Sequence, residues 1–130
     1  MSVQTNQSLS VDCAVFGFDG RSLKVLLIER RDYNPETHLD RLKLPGAMIQ
    51  ENETLPRAAN RVLAEATGLR EIYLKQMEIF SDPDRVTGEE LEWINRYHGI
   101  RTERVVTVGY YALVKLDRRM IAYTAEKRAQ

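Results

Sequence analysis

A single cysteine in 130 residues leaves no partner for an internal disulfide, so an apolar core rather than a covalent staple has to hold the chain together. Cys13 lies in an apolar run and reads as a small buried hydrophobe, and such cysteine usage points to the cytoplasm. An excess of either charge is also missing. The 19 basic and 19 acidic residues cancel, so this segment by itself lacks the positive field that grips nucleic acid. No apolar run approaches the roughly 20 residues of a membrane span, and the opening MSVQTNQSLS has no signal-peptide pattern. Internal repeats, a glycine-rich phosphate loop, zinc-ligand spacing and a serine or cysteine nucleophile motif are all absent. Without partner cysteines, His38 and His98 read as ordinary polar residues.

What is present, at 43% hydrophobic residues, suffices for one globular domain. The reading is a flexible leader over residues 1–9 and a domain over 10–130. The chain is organised around LPGAMIQENETLPRAANRVLAEATGL, residues 44–69, which reads as a short strand, a polar loop, a helix and a glycine stop. Leu55, Ala58, Ala59, Val62, Leu63 and Ala66 recur at helical spacing and form one apolar stripe. Thr54 is placed to cap the helix, Pro56 is tolerated in its first turn, and Gly68 can end it in the left-handed conformation.

Before this unit, two β-rich runs at 10–18 and 23–29 flank the hairpin signal Asp19-Gly20 and read as central strands. A polar loop follows, leading to a strand over 42–45. After it come a strand at 72–80 and the breaker Ser81-Asp82-Pro83-Asp84. The segment 87–99, TGEELEWINRYHG, then predicts an inserted helix with a capping box formed by Thr87 and Glu90. Trp93 and Tyr97 stand at i and i+4 in it, placed to pack the insertion or to stack on a base. Residues 102–116 predict a long strand with Gly109 as a bulge, and 120–123 a weak one.

The central stretch resembles the Nudix box, laid from Ala47 to Leu69. Glu53, Arg61, Leu63, Glu65, Gly68 and Leu69 match, with Leu44, Pro45 and Gly46 ahead of them. Ala47 replaces the opening glycine, and Val62 and Ala66 replace two glutamates. Holding Mg²⁺ for pyrophosphate cleavage takes several carboxylate oxygens. At positions 62, 65 and 66 only Glu65 supplies one. The box thereby resembles that of the Nudix-related transcriptional regulators, and VDCAVFGFDGRSLKVLLIERR, EIYLKQMEIFSDPDR and RVVTVGYYALV extend the likeness over roughly residues 10–116.

The resemblance implies an α/β fold, a Nudix-type alpha-beta-alpha sandwich with a mixed sheet, whose usual C-terminal helix is apparently missing from this chain. It also implies a non-catalytic effector domain, with DNA bound only through a winged-helix domain absent from these residues, in a homodimer. The effector it implies is ADP-ribose, in the branch controlling NAD metabolism, or a sugar such as arabinose in another. Candidate ligand-binding residues are Arg30, Arg31, Arg85 and Arg104 for a diphosphate, Glu65 for a ribose hydroxyl, and Trp93 or Tyr97 for adenine. Gly46, Glu53, Arg61 and Gly68 read as structural residues of the box, with Glu53 paired to Arg61 across the loop. No cofactor is expected. One alternative is an active Nudix hydrolase of substrates such as ADP-ribose, using Mg²⁺ held by Glu65 with Glu51 or Glu103. Another is a purely structural dimerisation domain.

Overall fold

A computed structural model describes residues 8–116. Its centre is β1 (Leu9–Phe18), where alternation sends Val11, Cys13 and Val15 to one face and Ser10, Asp12 and Ala14 to the other. Along one edge β1 pairs antiparallel with β2 (Leu23–Val25), after β3 (Ile28–Glu29) and β4 (Leu42–Lys43) also with β5 (Gly46–Met48); along the other it runs parallel to β7 (Val106–Lys115). Strand β6 (Lys75–Phe80) closes the sheet antiparallel to β7. The sheet is therefore mixed, with β3 and β4 as a separate antiparallel pair beside it.

Helix α1 (Leu55–Thr67) lies on the first face. Its Ala58, Ala59, Val62 and Leu63 close over Val11, Cys13, Val15, Val108 and Tyr110, burying the predicted stripe. Leu63 is 1% exposed, so truncating it to alanine would cost about 2–5 kcal/mol. Thr54 Oγ1 accepts from Arg57 N at 3.3 Å, and Gly68 ends the helix at φ 78°. Helix α2 (Gly88–His98) lies on the opposite face, where Leu91 and Ile94 pack with Met48, Val86 and Val105. Helix, sheet and helix make the three layers that the resemblance implies, with the inserted α2 supplying the third.

Several local expectations change. Run 23–29 is interrupted after Val25, and β2 is an exposed edge rather than a central strand. The capping box does not form, because Thr87 makes no side-chain cap bond; the neighbouring Glu89 instead accepts from His38 N at 2.6 Å, tying α2 to the loop before β4. The bulge falls on β6, where pairing steps from Gln76↔Tyr110 to Glu78↔Gly109 and leaves Met77 unmatched. Gly109 is the flat partner that admits it, since a Cβ there would stand 3.1 Å from the Phe80 ring. Phe18, Leu23, Val25 and Leu113 are exposed at the far end of the sheet. The weak strand expected over 120–123 lies outside the described residues.

Candidate functional site

Between the C-terminal half of α1, the β3–β4 pair and α2 opens a cleft of ≈ 980 Å³, at the upper end of the size range of small-molecule sites. Box positions form one wall, with Val62, Glu65 and Ala66 all lining it. Helical spacing puts these three on one face, so the two substitutions give the wall an apolar surface with one carboxylate.

Arg61 governs the carboxylates around that wall. Its Nε donates to Glu53 Oε2 at 2.6 Å and its Nη2 to Glu53 Oε1 at 3.0 Å, a two-pronged pairing that suits a guanidinium. Nη1 donates to Glu65 Oε2 at 3.2 Å, and Nη2 also to the Met48 carbonyl at 3.1 Å. Hydrogen bonding from Arg61 holds the Glu53 carboxyl below the usual range. Both acids retained by the box are thus bound to one arginine. Among the described residues no three His, Cys, Asp or Glu side chains converge as a metal site, and Glu51 and Glu103 do not line the cleft. A single arginine-paired carboxylate between Val62 and Ala66 does not fit a divalent cation.

The facing wall is cationic and aromatic. Trp93 is 5% exposed, fixed by its Nε1–H donating to the Arg31 carbonyl at 3.1 Å. The Arg30 guanidinium carbon lies 4.5 Å and Lys43 Nζ 5.2 Å from its ring centroid, within cation–π reach. Tyr97 stacks on Trp93 with centroids 5.0 Å apart and planes 4° apart, and is itself 41% exposed. His98 meets Tyr97 edge-on at 4.8 Å; burial, then Lys43 and Arg61, lower its pKa. Burial also lowers the pKa of Lys43, against the pull of Asp12, and raises that of Asp12 itself.

The structure brings Arg30, Arg31, Glu65, Trp93 and Tyr97 of the predicted set to the cleft. Arg85 and Arg104 are not among its walls. Arg85 Nη2 donates to Thr107 Oγ1 and to the Val105 carbonyl, and its guanidinium lies 5.9 Å from the Phe80 ring centroid. Arg104 Nη2 donates to the Ser81 carbonyl at 2.7 Å. Arg85 thus ties its loop to β7, and Arg104 ties together the two loops that flank α2. Sequence reading overlooked Arg41 and Lys43, which line the cleft. The available signal was their i, i+2 spacing around Leu42 at the start of the strand expected over 42–45, which in extended backbone points two cations the same way.

A family model described as the NUDIX domain matches residues 6–124. The chain belongs to the Nudix family. It is 32% identical over 108 residues to the ADPR responsive transcriptional repressor NtrR of Acinetobacter baylyi, an alignment covering 82% of this chain and 36% of the repressor. Among solved structures it resembles the Nudix domain of Shewanella oneidensis NrtR complexed with ADP ribose, at 29% identity and TM-score 0.64, over 88% of this chain and 64% of that one. The same regulator complexed with a 27mer DNA matches at 28% identity and TM-score 0.65, over 92% of this chain and 48% of that one. The chain thus spans about a third of the length of its curated relative. Among the described residues no helix is long and apolar enough to cross a membrane.

Proposed function

We propose that this Nudix domain is the effector-sensing part of a transcriptional regulator, binding ADP-ribose in the cleft between α1 and α2 without cleaving it. The observation that carries the proposal is the pairing of a carboxylate-poor box wall, Val62, Glu65 and Ala66, with a wall of cations and aromatics, Arg30, Arg31, Lys43 and Tyr97. A hydrolase needs clustered carboxylates to hold the cation that activates water. A sensor needs only to hold its ligand. Arginines suit phosphoryl oxygens, and an exposed tyrosine face suits a base. The likeness to an ADP-ribose-responsive repressor, and to a regulator domain solved with ADP ribose, supports the same reading.

Binding would act on DNA through a winged-helix domain outside these residues, in a cytoplasmic homodimer whose two-fold symmetry suits paired half-sites. Calorimetric titration with ADP-ribose, arabinose and NAD, with and without Mg²⁺, tests this function. ADP-ribose is expected to bind intact and arabinose not to bind. Arabinose binding alone would favour a sugar-responsive regulator, and Mg²⁺-dependent turnover a hydrolase.

A further inference from the structure

Two cations share the ring of Trp93, and among the described residues neither has a carboxylate within 4.0 Å, although Asp12 acts on Lys43 from further off. Lys43 Nζ donates to the Gly46 carbonyl at 3.2 Å, which leaves two of its three N–H groups for a ligand. Arg30 Nε donates to the Asp40 carbonyl at 3.0 Å, which leaves its two terminal nitrogens for one. Arg41 and Arg61 are committed differently: Arg41 pairs with Glu29 at 2.7 Å, and Arg61 with Glu53 and Glu65. The cleft therefore holds satisfied arginines beside a pair of cations that repel each other.

We propose that Lys43 and Arg30, seated together on Trp93, form a metal-independent subsite for a diphosphate. This deepens the sensor reading and rests on it for the identity of the whole ligand. The two positive charges match a bridging anion, which would relieve their mutual repulsion as it binds. They are held in advance, Lys43 by the Gly46 carbonyl and Arg30 by the Asp40 carbonyl, over a Trp93 ring fixed by its bond to the Arg31 carbonyl, so less ordering is left to oppose binding. Val62 and Ala66 line the same cleft and keep that side apolar, which strengthens an ion pair relative to open water. With Val62 and Ala66 in place of acids, the α1 wall offers the phosphates a single carboxylate, Glu65, and that one is tied to Arg61. Lys43 thereby supplies, as a fixed ammonium, the positive charge that a carboxylate-held metal supplies elsewhere. An uncharged sugar would gain nothing from this pair.

Trp93 is the only tryptophan, so its emission reports directly on cations moving over its ring. The experiment titrates inorganic pyrophosphate and ADP-ribose, in excess EDTA, into the unaltered chain and into Lys43→Met and Lys43→Arg, read by Trp93 emission and by calorimetry. Methionine keeps an apolar stem in the strand, and a thermal melt of each variant establishes that it is folded. Both ligands are expected to bind the unaltered chain without metal, to weaken at least tenfold in Lys43→Met, and to recover in part in Lys43→Arg. Equal binding of both ligands by folded Lys43→Met, or binding that appears only when Mg²⁺ replaces EDTA, would overturn the subsite and leave the ADP-ribose reading standing. Pyrophosphate binding that depends on Lys43, with ADP-ribose binding no tighter, would support the subsite and overturn ADP-ribose as effector. If neither ligand binds with or without metal, both fall.

Discussion

Arg61 holds Glu53 by two parallel hydrogen bonds, of 2.6 and 3.0 Å, that join the middle of α1 to the loop leading into it. The same carboxylate accepts from Gln50 N at 2.9 Å, so loop and helix are fixed as one unit beneath the cleft. Both side chains are mostly shielded, at 19% and 11% exposure. Replacing Glu53 by glutamine leaves a shielded guanidinium short of its counter-charge and is expected to cost about 2 kcal/mol. Arg61→Lys loses the forked geometry and should cost nearly as much. Urea unfolding checks both. Because Arg61 lowers the Glu53 pKa from 4.5, the carboxylate's contribution is present above that value and fades as pH falls through the lower folded one. Glu53→Gln should lack that acid limb.

Gly46 is required by close approach. A Cβ at this position would stand 1.9 Å from Asp12 Oδ1 and 3.0 Å from the Val11 carbonyl, where β5 crosses β1 in register Asp12↔Gly46. Asp12 is a shielded carboxyl whose pKa is raised by burial, so it has little freedom to swing into solvent. Gly46→Ala is expected to destabilise the fold by about 1–3 kcal/mol. A loss under 0.5 kcal/mol in thermal or urea melts would show that the strand can move aside.

Restoring an acid to the helix tests the catalytic side of the proposal. Ala66 lines the cleft, and Val62 both lines it and is 3% exposed in the core. Ala66→Glu should therefore be tolerated, whereas Val62→Glu buries a carboxylate and should cost about 2 kcal/mol or more. The unaltered chain is expected to release no AMP from ADP-ribose with Mg²⁺ in a chromatographic assay. Ala66→Glu should raise Mg²⁺ affinity measurably by calorimetry, since it stands beside Glu65.

The parts of the fold legible in the sequence were those fixed by local chemistry. The stripe from Leu55 to Ala66, the Thr54 cap and the Gly68 stop depend on neighbours within a few residues, and α1 follows them closely. Strand β2 was misread as central because Leu23 and Val25 are apolar, while their exposure depends on what lies beside the sheet. The capping box of Thr87 and Glu90 does not form, and the anchor of α2 is instead a contact local pattern cannot show: Glu89 accepts from His38, 51 residues away. In the cleft, Arg85 and Arg104 looked equivalent to Arg30 and Arg31. Only the path of the chain around α2 separates them, since it turns Arg85 toward Thr107 and Arg104 toward the Ser81 carbonyl. Lys43 was overlooked because its significance comes from Trp93, which is 50 residues away and has no spacing relation to it.

Cys13 is expected to be chemically silent in the native state. It is fully buried, its Sγ lies 3.5 Å from the Ala59 carbonyl it donates to, and burial pushes the thiol up to about 12. Little thiolate forms at neutral pH, and reagent cannot reach it. Labelling with a disulfide reagent should proceed only at the rate of unfolding, becoming rapid in denaturant; fast labelling of folded protein would mean that α1 opens readily from β1.

His98 gives the molecule a second, distinct acid sensitivity. It meets the ring of Tyr97 at 4.8 Å, and burial, then Lys43 and Arg61, lower its pKa from 6.5. Folding therefore disfavours the imidazolium, and the unfolded chain binds the proton more tightly. The sign follows: stability is fully present above about 6.5, the unfolded value, and is lost as pH falls through the lower folded one. His98→Gln keeps a polar side chain that does not titrate, so its melting temperature should fall less than that of the unaltered chain between about pH 7 and pH 5. Above about pH 7 the two should differ by a constant amount. Parallel curves across the whole range would mean that the imidazole reaches solvent and titrates as it does in the unfolded chain. If the proposed anion binds beside Lys43, it should partly cancel the repulsion that disfavours the imidazolium, and the acid limb of the melts should shrink in saturating ADP-ribose.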